Sequence, residues 1–236
     1  MKTLMVLASL FLLALCSGNS ESAEEPGDTG TPADTAETAE IDTEADIEPG
    51  TLVTVEDYGR ITDRELLVSR FGEENLAHGE SWYAEGTVRF DHTVLTDPEN
   101  GQVITYVWGE DDSTLGHIEA GYYIFDRDYT ITGTQTVLSD CGVSTGMSLA
   151  ELREWNGADF EFLGFGWDYE GGIIEEEGSR LAECPVEIKL SFDLETEIPE
   201  EYTGMYGDRM FSTADEIAQG APILVDRLTY HPTEER

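Results

Sequence analysis

The chain has 236 residues, with 12 Lys and Arg against 51 Asp and Glu and a formal net charge of −39 at neutral pH. A charge of that size and sign makes nucleic acids and anionic lipid surfaces poor partners. From residue 51 onward the chain still holds 11 basic and 40 acidic residues, which leaves two readings open: a solvated acidic shell suited to salty surroundings, or an acidic face that binds cations or a basic protein.

The N-terminus reads MKTLMVLASLFLLALC, with Lys2 ahead of an apolar run from Leu4 to Leu15. The run is too short to span a bilayer as a stable helix and has the layout of a secretory signal peptide, residues 1–16. Its end, Leu13-Ala14-Leu15-Cys16, resembles the lipobox of bacterial lipoproteins, which implies a lipid-anchored chain whose first residue is a lipidated Cys16. Leu15 departs from the small residue usual before that cysteine, and cleavage near Gly18 to a soluble product is the alternative. Residues 17–50 hold eleven acids, no Lys or Arg, and almost no large apolar side chain. They cannot bury enough surface to offset their ordering entropy, so a disordered, self-repelling acidic linker is expected. Setting Cys16 aside leaves the pair Cys141 and Cys184. In an oxidising compartment these are expected to form a disulfide contributing about 3–4 kcal/mol. Two unrelated buried thiols are the alternative, and zinc is disfavoured because no histidine stands at metal-ligand spacing.

The first element predicted downstream is a helix over TDRELLVSRFG, opened by a Thr62-x-x-Glu65 capping box and closed at Gly72. Strand-like segments follow: TVRFDHTVL, QVITYVW, GYYIF and DYTITGTQTVL. A second capping box, Ser148-x-x-Glu151, opens SLAELREWNG, a helix closed at Gly157. DFEFLGF, GGIIE and RLAECPVEIKLSF read as strands, with EEEGSR (Glu175 to Arg180) as a hairpin turn. Thr213-x-x-Glu216 predicts a last short helix, and PILVDRLTY a last strand. One constant shift places Leu67, Gly72, Gly79, Trp82, Glu85 and Gly86 on Leu152, Gly157, Gly164, Trp167, Glu170 and Gly171. The same shift sets Val103, Thr105 and Val107 on Ile188, Leu190 and Phe192, as tandem copies of one unit would.

A short helix followed by an antiparallel meander, used twice, resembles the β-lactamase-inhibitor-protein-like (BLIP-like) architecture shared with SmpA/OmlA-type outer-membrane assembly lipoproteins. TGMSLAEL (Thr145 to Leu152) resembles the Gly-Met-Ser helix start of those units, although each copy here lacks a second N-terminal helix. More closely, GMSLAELREWNGADFEFLGFGWDYEGG looks like a family of uncharacterised bacterial exported proteins with a GFGWDYxG signature. These resemblances imply an α+β fold of two tandem helix-plus-meander pseudo-repeats, residues 51–140 and 141–236. They also imply a cell-envelope location, and they carry no established activity.

Catalytic patterns are sparse. GVSTG is a literal G-x-S-x-G around Ser144 with His231 downstream, but neither a nucleophile-elbow context nor an oxyanion-hole motif accompanies it. His78, His92, His117 and His231 show no metal-binding spacing and read as surface or satisfied residues. DRDYTITG lacks the ligand spacing of an EF-hand. Asp168 and Glu170 alternate on one strand face about 7 Å apart, a separation glycosidases use; the alternative sets both toward water. In GFGWDYEGG the glycines permit close strand approach. Trp167, with its counterpart Trp82, then reads as a core plug, or Phe165, Trp167 and Tyr169 stand on a concave face beside Asp168 and Glu170 as anchors for a protein partner. The function expected is non-catalytic binding of another envelope or extracellular protein, without cofactor or metal. A secreted-enzyme inhibitor and a Ser144-dependent hydrolase are the alternatives.

Overall fold

The computed structural model describes residues 52–83, 86–109, 114–166 and 171–232, so the segments expected to be a signal peptide and an acidic linker, with Cys16, lie outside the described residues. Helix α1 (Val55–Gly59) opens them, capped reciprocally by Thr54 and Asp57, and α2 (Arg64–Phe71) follows. The N-cap of α2 is Asp63, whose carboxylate accepts the Leu66 N–H at 2.7 Å, so the cap lies one residue past the expected Thr62. Strands β1 (Leu76–Tyr83), β2 (Val88–Thr96), β3 (Val103–Trp108) and β4 (Leu115–Gly121) form a continuous antiparallel meander. The hairpin β5 (Tyr123–Phe125) and β6 (Ile131–Thr134) then leads to α3 (Leu149–Asn156), where Ser148 and Glu151 make the expected capping box. Strands β7 (Glu161–Leu163), β8 (Ile173–Ile174), β9 (Val186–Phe192) and β10 (Met210–Ser212), helix α4 (Glu216–Gly220) and β11 (Ile223–Tyr230) complete the order.

The main sheet has six strands in the order β1-β2-β3-β4-β11-β9, and β10-β7-β8 form a second sheet. Mixed helix and mostly antiparallel sheet make this an α+β fold. Period-two alternation sends Leu95, Ile104, Tyr106, Trp108, Ile118, Ala120, Leu228 and Ile188 to one face, where with Tyr58, Ile61 and Leu67 from the helical segment they form the core. Polar groups in that core are paired: Tyr106 donates to Tyr58 O at 3.1 Å, Tyr58 to Asp97 at 2.7 Å and Trp108 to the buried Thr93 at 2.9 Å, as burial requires. Cys141 and Cys184 form the expected disulfide, with Cα atoms 5.4 Å apart.

Other expectations are corrected. Glu175 to Arg180 does hold a turn, but as part of a longer connection: the antiparallel bridge to β9 is made by Gly172 with Lys189, and β9 starts only at Val186. Thr213 caps no helix: its hydroxyl accepts the Phe160 N–H and donates to Asp159, and α4 starts after Asp215. The two copies read from the sequence agree at their helices, where Leu67 and Leu152 are fully buried and Gly72 and Gly157 follow the last turn. They part at the strands. Val103, Thr105 and Val107 lie opposite the core face, whereas Ile188, Leu190 and Phe192 are buried in the core, and β7 belongs to the smaller sheet. Trp82, expected as a core plug, is 60 % exposed.

Candidate functional site: the open face of the main sheet

The alternation that buries Ile118 and Leu228 turns His117 and Glu119 of β4, and Arg227 and Thr229 of β11, to the other face. Register sets His92 beside Val107, Val107 beside His117, and Glu119 between Thr105 and Thr229. His231, just past β11, brings its ring within 5.2 Å of His117. Tyr83, from the far end of β1, packs edge-on against both Phe90 at 5.6 Å and His117 at 5.8 Å. That contact spans three strand spacings, so the β1–β2 hairpin curls over this face and makes it concave.

A carboxylate sits at the centre. Glu119 lies 3.4 Å from Arg227 Nη1 and 3.5 Å from His117 Nε2, and accepts from Tyr83 OH at 3.5 Å. Burial works against its charge, yet the His117 hydrogen bond and the Arg227 charge more than offset it and hold Glu119 down at about 2. Burial, with the Glu119 charge beside it, pushes Tyr83 up to about 12. The carboxylate is thereby held as the anion and the phenol as the neutral donor at neutral pH. At the rim, His92 joins Ser81 at 2.8 Å, and burial lowers its affinity for a proton. Lys189 of β9, opposite Arg227, is the one lysine beyond Lys2. Among the described residues no group of three or more His, Cys, Asp or Glu is placed to hold a metal ion.

The residues singled out in the sequence lie elsewhere. Phe165 is 3 % exposed, its ring 4.4 Å from Phe192, which corrects its reading as an exposed anchor. Its neighbours enforce this. A Cβ on Gly164 would meet the carbonyl oxygens of Gly207 at 2.5 Å and Met205 at 2.6 Å, and one on Gly171 would overlap the Leu190 carbonyl, so the glycines serve close backbone approach. Trp167, Asp168, Tyr169 and Glu170 lie outside the described residues. Ser144 sits in a bridge with Leu138, two residues before Gly146, whose N–H donates to Val225 O. His231 lies just past β11, with Nε2 3.5 Å from Glu187.

Sequence reasoning missed the open-face cluster, although LGHIEAG and VDRLTYH both alternate polar and apolar residues. Comparison with protein-family models, with curated proteins and with solved structures finds no match to this chain. Among the described residues no helix is long and apolar enough to cross a membrane.

Proposed function

We propose that this is an exported, non-catalytic envelope protein, tethered through Cys16 and the acidic linker, which binds another protein through the concave face of its main sheet. The observation that carries the reading is a sheet face on which Tyr83 and Arg227, residue types enriched in recognition surfaces, stand beside His92 and His117. The BLIP-like and SmpA/OmlA-like resemblance and the tandem duplication belong to the same proposal. The matched ends of α2 and α3 support the duplication, and the opposite facing of β3 and β9 limits it to a diverged pair. Capture from envelope extract by the wild-type chain, compared with a folded Tyr83→Ala/His92→Ala variant, tests it; that variant leaves the Glu119–Arg227 pair in place. A partner held by the wild type and lost by the variant supports the reading, and equal capture ends it.

One observation favours the inhibitor reading as a second possibility. Tyr129, at the tip of the β5–β6 hairpin, is 88 % exposed and has φ 57°, the one positive φ outside glycine among the described residues. Holding a tyrosine there costs about 1–2 kcal/mol, and Asp126 steadies the tip by accepting the Asp128 and Thr130 N–H groups. Stoichiometric inhibition of a secreted hydrolase, abolished by Tyr129→Ala, is the expected result; inhibition untouched by the substitution removes the hairpin from the argument.

A further inference from the structure

The two edges of the main sheet end differently. Along β9, Leu190 N–H donates to Gly171 O at 3.0 Å and Gly172 bridges Lys189, so that edge is covered. Along β1 no described strand pairs beyond β2. This strand is 8 residues long, keeps register with β2 without a bulge, and contains neither proline nor lysine. Of the devices with which natural sheets blunt an open edge, it carries one charged side chain, Glu80, but no proline, lysine or bulge.

The turn after β1 shows which groups point outward. Gly86 and Thr87 N–H both donate to Tyr83 O at 3.1 Å, so the polar groups of Tyr83 face β2. Backbone polar groups alternate along a strand. Ser81, Gly79 and Ala77 therefore also face β2, while Leu76, His78, Glu80 and Trp82 turn theirs outward. Leu76 agrees, since its N–H donates to Glu73 O instead of to β2.

A second copy pairing antiparallel along this edge must bring outward groups opposite outward groups, which leaves few registers. Centring on Glu80 sets two carboxylates against each other. Centring on His78 pairs two imidazoles. Centring on Gly79 sets His78 opposite Glu80 twice, an imidazole against a carboxylate acceptor, and Leu76 opposite Trp82 twice, and complementary polar and apolar pairs are what stabilise cross-strand neighbours. His78, Glu80 and Trp82 are all exposed; within the chain His78 meets Thr93 at 3.0 Å and Glu73 at 3.1 Å, and Glu80 meets Arg89 at 2.8 Å, contacts that the pairing exchanges for contacts across the axis. Gly79, on the axis, falls at a non-hydrogen-bonded position, where facing Cα atoms approach to about 4.5 Å.

We infer that two copies of this protein pair β1 to β1, antiparallel about a two-fold axis at Gly79, into one continuous sheet. The pairing leaves the concave face open and does not depend on what that face binds. The net charge of −39 per chain opposes it, so association strengthens with salt.

Sedimentation of the full chain in about 0.5 M NaCl, where the screening length is roughly 4 Å, tests the inference. The wild type dimerises. His78→Glu sets a carboxylate opposite Glu80 at both symmetry-related places and weakens dimerisation by about tenfold or more in Kd. The double change His78→Glu/Glu80→Lys sets opposite charges across the axis and restores it to within about threefold, with circular dichroism verifying that each variant is folded. A wild type that stays monomeric up to its solubility limit, or a dimer indifferent to both the single and the double change, overturns the inference.

Discussion

Replacing Phe165 by alanine separates the two readings of GFGWDYEGG. The ring is 3 % exposed, 4.4 Å from Phe192 and 6.1 Å from Phe162, and the Phe165 N–H donates to Met205 O at 2.9 Å. Removing such a ring forfeits its transfer free energy and leaves a cavity, together about 3–5 kcal/mol. The backbone around it has little room to collapse, because carbonyls of Met205 and Gly207 already crowd Gly164. A loss of about 4 kcal/mol is therefore expected. With an m-value of roughly 2 kcal/mol/M, the urea midpoint should fall by about 2 M. Equilibrium unfolding of the oxidised protein, followed by tryptophan fluorescence, measures this. A midpoint shift below about 0.5 M, accompanied by loss of partner capture, would refute the core assignment and restore Phe165 as an anchor.

Arg227→Met removes the charge against which Glu119 rests. Both groups keep some exposure, so the expected cost at neutral pH is about 2–3 kcal/mol, less than for a fully buried pair. In the wild type, the Glu119 contribution is fully present above its unfolded value of 4.5 and is lost as pH falls toward about 2. In the variant the His117 hydrogen bond remains, so that acid-dependent loss should shrink in unfolding curves taken at stepped pH. Glu56 behaves oppositely: burial pushes its carboxyl above 4.5 despite hydrogen bonds from Ser139 and Asp140. Its folded form holds a proton the unfolded chain releases, so stability falls as pH rises from 4.5 through the raised folded value, and Glu56→Gln should flatten that slope. Converting Cys141 and Cys184 together to alanine should lower stability by about 3–4 kcal/mol, read by the same urea titration.

What could be read from the sequence was local chemistry. Ser148 and Glu151 satisfy N–H groups within their own turn, so their box forms wherever α3 packs. Thr62 and Asp63 are adjacent acceptors of similar quality, and the choice between them depends on how Leu67 and Phe71 must face the sheet. Strand faces were harder. VITYVW is apolar at both parities, so periodicity could not tell that Ile104, Tyr106 and Trp108 go inward, and the repeat alignment matched Val103, Thr105 and Val107 to residues that face the core.

The concave site was illegible for a related reason. His92, His117 and His231 lie far apart in the chain and become neighbours only through the order β2-β3-β4-β11 and its register. No local spacing encodes that order. β1 is the extreme case. LAHGESWY has no apolar alternation, because neither of its faces is deeply buried, and the ladder to β2 alone holds it as a strand. Among the described residues no strand pairs with its outer edge, so a segment hard to recognise from sequence is also one whose backbone is available to another chain.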